Sequence, residues 1–137
     1  MPPVLSSAKA LIKHDDKYLF LREDLPQGTI WDLPGGKIEF GESPEETIVR
    51  EVKEEVYFEI KILKSIGVWW FFPINKEQQI VCHTYLCEPT GNVEIDLTKN
   101  PADEHFSEYR WVSKEEVLTN PEYKLVESLR KLVENLA

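Results

Sequence analysis

The sequence predicts an α+β fold, a mixed β-sheet with helices over its faces. Three observations carry the prediction: strand-like apolar runs fall in two groups, one strongly capped amphipathic helix lies between them, and the last quarter of the chain turns helical.

Val4 to Lys13 and Tyr18 to Arg22 read as strands joined by the hairpin-like turn His14-Asp15-Asp16-Lys17. Arg22 ends the second strand, and its forked donors make it a candidate for contact with a substrate phosphate. Asp24 to Thr29, with Pro26 and Gly28, is expected to be a loop, and Trp31 to Leu33 a short strand. That strand runs into Gly35-Gly36, a tight turn that can bring bare backbone groups against an ion or a phosphate.

The helix starts at Ser43. Pro44 follows at the first helical position and Glu46 lies three residues on, the spacing of a capping box. Ile48, Val49, Val52 and Val56 recur at helical periodicity, while Glu51, Glu54 and Glu55 fall in an arc of roughly 100° on the opposite side. Glu51 and Glu55 repel one another at i and i+4, and Arg50 offsets only part of the charge. A hard divalent cation is the natural neutraliser, Mg²⁺ first and Mn²⁺ also suited. Among 25 Asp and Glu residues an acidic helix face is ordinarily solvated surface; the neighbouring glycines bear on the ion reading, although Gly-Gly by itself is more often only a turn.

Beyond the helix, Glu59 to Phe72 is strand-like, with Trp69 and Phe71 on one face and Trp70 and Phe72 on the other. One aromatic face is expected in the core and the other against a helix, a partner such as a second copy, or a base. Gln78 to Glu88 is the next strand; its Cys82 and Cys87 point to opposite faces and are not expected to bridge. Val93 to Ile95 is a short segment, and Asp96 to Phe106 reads as a polar loop suited to gating a site. Ser113 with Glu116 caps a second helix, and Asn120-Pro121 breaks it. A last helix is expected from Glu122 onwards, packing through Leu125, Leu129, Leu132, Val133 and Leu136.

A chain of 137 residues suits one domain, 1–137, with a self-sufficient core. The formal net charge of -9 argues against polymeric nucleic acid as a partner but not against small nucleotides, because a bound cation can bridge an acidic site to a phosphate. With neither a leader pattern nor an 18-residue apolar run, the expectation is a soluble cytoplasmic protein with no membrane partner.

Gly36, then Glu42, then Arg50-Glu51-Val52-Lys53-Glu54-Glu55 resembles the Nudix box, the signature of the Nudix hydrolase superfamily, and Trp31-Asp32-Leu33-Pro34-Gly35 resembles its usual lead-in. The resemblance implies a Nudix-like α/β/α sandwich over the whole chain, with a metal-binding loop–helix–loop. It implies Glu51, Glu54 and Glu55 as catalytic residues and metal ligands, with Glu51 a candidate base, and Gly35 lending a backbone carbonyl beside Gly36. It further implies an orienting ion pair between Glu42 and Arg50, a basic residue such as Arg22 near the phosphates, and Glu108 or Glu104 as an additional ligand or helper of the base.

The implied reaction is hydrolysis of a pyrophosphate bond in a nucleoside diphosphate linked to another moiety. Length favours a MutT-like nucleoside triphosphate pyrophosphohydrolase, while Pro73, fifteen positions past Phe58, resembles a marker of ADP-ribose hydrolases; nucleotide sugars remain open. A catalytically silent nucleotide-binding or protein-interaction module is the competing class, and the three intact carboxylates argue against it. The chain departs from the motif at Tyr57, which stands where the family has the glycine that ends the helix. A left-handed tyrosine would cost about 1–2 kcal/mol, so the helix is expected to run on or to turn another way.

Overall fold

The computed structural model describes residues 1–74, 77–95 and 106–137. Strand β1 (Val4–His14) turns through Asp15 and Asp16, both at positive φ (51° and 62°), into β2 (Lys17–Leu25). Two left-handed residues in a two-residue turn match the twist of a hairpin, and Asp tolerates that conformation better than most side chains. β3 (Gly28–Asp32) and the short β4 (Gly35–Lys37) follow, then helix α1 (Pro44–Val56), β5 (Ile60–Phe71), β6 (Gln79–Pro89), β7 (Phe106–Val112), α2 (Lys114–Thr119) and α3 (Glu127–Glu134).

The strands form a mixed sheet in the order β3-β2-β1-β6-β5, with β4 also paired to β1 and β7 also paired to β2. β1 runs parallel to β6 from Val4 to Ile12 and antiparallel to β4, where Lys9 faces Gly35 and Ala8 faces Gly36.

Alternation along the strands divides the core in two. Ala8, Ala10 and Ile12 of β1, with Leu19 and Leu21 of β2, pack under Ile48, Val52 and Val56 of α1. Leu11, Phe20, Trp31 and Trp69 point the other way, against Val117 of α2 and Leu129 and Val133 of α3. This is the α/β/α layering expected. Cys82 and Cys87 fall one in each core, both free and buried, so the opposite-face reading holds. Burial pushes both thiols up to about 12.

Several expectations are corrected. The Asp24–Thr29 loop is a hairpin instead: β2 extends to Leu25 and β3 begins at Gly28, because Asp24 and Thr29 pair in the ladder and the Thr29 hydroxyl donates to the Asp24 carboxylate at 3.1 Å. Gly35-Gly36 is part of a strand rather than a free turn.

The last helix starts at Glu127, not Glu122. The segment before it is held extended, its Lys124 carbonyl accepting the Trp31 N–H at 2.9 Å and buried Tyr123 meeting Trp31 edge-on at 5.2 Å. Tyr57 does take the left-handed conformation (φ 64°, ψ 27°) and caps α1 by donating its N–H to Lys53 at 3.2 Å, while Phe58 tucks into the core.

Residues 75–76 and 96–105, Glu104 among them, lie outside the described residues, and Phe106, expected in the loop, opens β7. No described helix is long and apolar enough to cross a membrane.

Candidate active site

The capping box predicted for α1 is present in both directions: Glu46 N–H donates to the Ser43 hydroxyl at 3.1 Å, and Ser43 N–H donates to the Glu46 carboxylate at 3.0 Å. With its start fixed, the helix presents its three glutamates at graded depth. Glu55 is fully buried, the Glu51 side chain is 12% exposed and that of Glu54 is 45% exposed.

The expectation of apolar and acidic faces on opposite sides of α1 is therefore corrected. At 100° per residue Glu55 falls between Ile48 and Glu51, inside the buried arc, whereas Val49 lies outside it and is exposed.

β4 supplies the other wall. The Gly35 N–H donates to Glu55 at 2.8 Å, which fixes the buried carboxylate. Gly35 needs to be glycine twice over: its φ is +146°, and a Cβ there would sit 2.2 Å from the Ala8 carbonyl oxygen. At Gly36 a Cβ would stand 2.6 Å from Glu51 Oε1, so a side chain there would displace that carboxylate. The Glu51 carboxylate occupies the space that the missing side chain leaves.

Arg50 gathers the loop onto the helix. Its Nε donates to Glu42 at 2.8 Å and its Nη2 to the same carboxylate at 3.1 Å, while Nη1 reaches Glu51 at 3.0 Å and Glu54 at 3.4 Å. The Arg50 hydrogen bond, with the Glu39 N–H behind it, holds Glu42 well below the usual carboxylate range, at about 2.

Glu51, Gly35 and Gly36 border a cleft of about 950 Å³. Its remaining walls include Ile30, Trp31, Trp69, Phe71, Phe72 and Phe106, with Lys9 and Asp32 set among them.

Sequence reasoning missed Lys9. Its ammonium is buried and bonded to Asp32 at 3.1 Å and to the Leu33 carbonyl at 3.4 Å. Burial opposes its charge, yet Asp32, with Cys82 and Glu55 behind it, more than offsets that and raises its pKa. A lysine between two wholly buried alanines in β1 was the available signal.

Arg22 and Glu108 do not border the cleft. Arg22 binds Asp24 at 3.0 Å and Glu108 at 3.3 Å, and Glu108 also accepts from Arg110 at 2.8 Å. Their neighbour Glu23, on the opposite face of β2, is the one that borders it.

Among the described residues, no three His, Cys, Asp or Glu side chains close tightly enough to hold a metal ion as they stand, Arg50 spanning Glu51 and Glu54 instead. The donor chemistry nevertheless fits a hard cation. The Glu51 and Glu55 carboxylates meet the Gly36 and Gly35 backbone, and the Gly36 cradle keeps Glu51 at the cleft wall, whereas Glu54 lies outside it against Arg50.

The NUDIX domain family matches residues 5–136, so the chain belongs to that family and is by class a Nudix pyrophosphohydrolase. It is 31% identical over 118 residues to a MutT-like protein of Streptomyces ambofaciens, covering 85% of this chain and 69% of that one. It is also 36% identical over 101 residues to an ADP-ribose pyrophosphatase of Bacillus subtilis (strain 168), covering 73% of this chain and 49% of the relative. The crystal structure of a MutT protein from Methanosarcina mazei Go1 superposes with a TM-score of 0.78 at 27% identity, over 97% of this chain and 92% of that one.

Proposed function

We propose that this chain, acting as one domain from residue 1 to 137, hydrolyses the pyrophosphate bond of a nucleoside diphosphate linked to another moiety, in first place a nucleoside triphosphate. The observation that carries the reading is the cleft itself: the Glu51 carboxylate and the Gly35-Gly36 backbone form one wall, and apolar and aromatic side chains form the others. Polyphosphate chemistry belongs at the first wall and a planar base between the others.

Glu51, Glu54 and Glu55, with the Gly35 carbonyl, would hold Mg²⁺ or Mn²⁺. Bound there, the cation neutralises phosphate charge and acidifies an attacking water. The protein's own residues do the rest. The Gly35 N–H keeps Glu55 in one orientation, and Arg50 ties Glu42 and Glu51 together so that the loop and helix approach as a unit. Glu51, at the cleft wall and partly solvated, is positioned to accept the proton of the attacking water. The aromatic walls exclude bulk solvent around the base.

ADP-ribose is a second reading with its own support: Pro73, next to Phe72, borders the cleft, and one relative carries that activity in its name.

A Mg²⁺-dependent hydrolysis screen over nucleoside triphosphates, ADP-ribose, nucleotide sugars and dinucleoside polyphosphates decides between them. A nucleoside monophosphate plus pyrophosphate from a triphosphate is the expected product pair. Turnover of none of these substrates, or turnover that Glu51→Gln leaves intact, refutes the proposal.

A further inference from the structure

A second concavity, of about 530 Å³, lies between β5, the C-terminal end of β1 and helix α3. Lys9 and Lys13 point to the same face of β1, four residues and roughly 13 Å apart. Lys9 belongs to the catalytic cleft and Lys13 to this second pocket. Buried Leu11 lies between them, so the two concavities are separate.

The lining is unusual for this chain. Acidic residues outnumber basic ones, 25 to 16, yet among the described residues no Asp or Glu side chain borders the pocket. Lys13, Lys64 and Lys131 do, one each from β1, β5 and α3, and the terminal residue Ala137 closes one side.

The ordinary reading of a surface lysine is an ion-pair member or a helix-end charge. Lys131 has such a role open to it in the last turn of α3. Lys13 and Lys64 do not: the one ion pair of Lys13 is a 3.8 Å contact with an almost fully exposed Asp16, and Lys64 makes none among the described residues. Three lysines, none held by an ion pair shorter than 3.8 Å among the described residues, make this a cationic concavity in a protein of charge -9.

The rest of the lining selects the kind of anion. The Trp70 ring stands half-exposed at the rim, and Ile66, Val68, Leu86 and Leu132 supply apolar surface. The rim is rigid, since Ser128 of α3 both donates to the Trp70 carbonyl and accepts its N–H, so the helix closes the free edge of β5. Gly67 takes φ +124°, a backbone conformation that favours glycine, beside Leu132. A compact anion alone would leave the ring and the aliphatic surface unused, whereas a planar heterocycle carrying one phosphate would use both parts. The volume is that of a small-molecule site.

We propose that this pocket is a second, non-catalytic site for a mononucleotide-sized organic phosphate, bound by Lys13, Lys64 and Lys131 through the phosphate and by Trp70 through its ring. The site requires no divalent cation, which separates it from the catalytic cleft.

Titration of the ¹⁵N-labelled chain with AMP in EDTA, followed by backbone amide shifts, tests this. Saturable shifts at Lys64 to Trp70 and at Ser128 to Asn135 are expected. They should weaken at least tenfold in the Lys64→Glu/Lys131→Glu double variant, whose sites are exposed, while Mg²⁺-dependent hydrolysis in the cleft stays unchanged. Trp70→Ala should weaken AMP by a smaller factor, and inorganic phosphate should bind at least tenfold more weakly than AMP. Shifts confined to the cleft, non-saturable shifts, charge reversal without effect, or phosphate binding as tightly as AMP would each overturn the assignment.

Discussion

Two arginine–glutamate networks, built from the same chemistry, serve different parts of this molecule. Arg50 ties Glu42, Glu51 and Glu54 together within a stretch of sequence that contains both the loop and α1. Arg22 and Arg110 converge on Glu108 from β2 and β7, with Arg22 and Glu108 separated by 86 positions, and Arg110 continues to Glu122. Both hold carboxylates below their ordinary range, Glu42 chiefly through the Arg50 hydrogen bond and Glu108 chiefly through that of Arg110. What separates them is what else their carboxylates touch. The first includes Glu51, which borders the cleft; the second fastens β7 to β2. An ion pair near a site is therefore informative only when one of its members faces the chemistry.

Substitutions can sharpen that contrast, starting with the strongest. Glu51→Gln should lower turnover by about 10²–10⁴-fold with the melting temperature nearly unchanged, measured by product release and circular dichroism. Gly36→Ala should come close to it, because the added Cβ displaces the Glu51 carboxylate; rescue by excess Mg²⁺ would contradict the steric account.

Removing the two arginines compares the networks directly. Arg50→Met should cost about 10–100-fold in activity, as loss of a partner that orients ligands does, whereas Arg110→Met should leave kcat/KM within about threefold. Equal losses would erase the distinction.

The pH dependence of stability offers a gentler test. The folded pKa of Glu42, about 2, lies below its ordinary value of 4.5, so its contribution is complete above about 4.5 and fades as pH falls towards 2. Denaturation titrations should show Glu42→Gln losing part of the acid sensitivity of the parent over that window. The smallest effect is expected at the helix end: Tyr57→Gly should stabilise the fold by about 1 kcal/mol through relief of the left-handed tyrosine, seen as a higher melting temperature without a change in turnover.

The same contrast explains what could be read from the chain beforehand. Features set by neighbours in sequence were legible: the Ser43 cap, the hairpin at Asp15-Asp16 and the opposite faces of Cys82 and Cys87, while the Glu42–Arg50 pair was legible only through the family resemblance. Features set by distant partners were not. β4 exists because β1 offers it a ladder, and Glu55 is buried because Gly35, twenty positions earlier, folds back onto it. Lys9 carries a charge in the core because Asp32 meets it there. Tyr57 went the other way from expectation because burying Phe58 and closing the helix together outweigh a cost of about 1–2 kcal/mol.

Calorimetric titration of the parent and of Glu51→Gln with Mg²⁺, in the presence of a non-hydrolysable nucleoside triphosphate analogue, addresses the cation site most directly. Saturable Mg²⁺ binding by the parent, lost or weakened at least tenfold in a variant that melts at the same temperature, is the predicted result. Indistinguishable isotherms for the two proteins, or no saturable heat from the parent, would mean that the carboxylates of α1 and the glycines of β4 do not form a metal site.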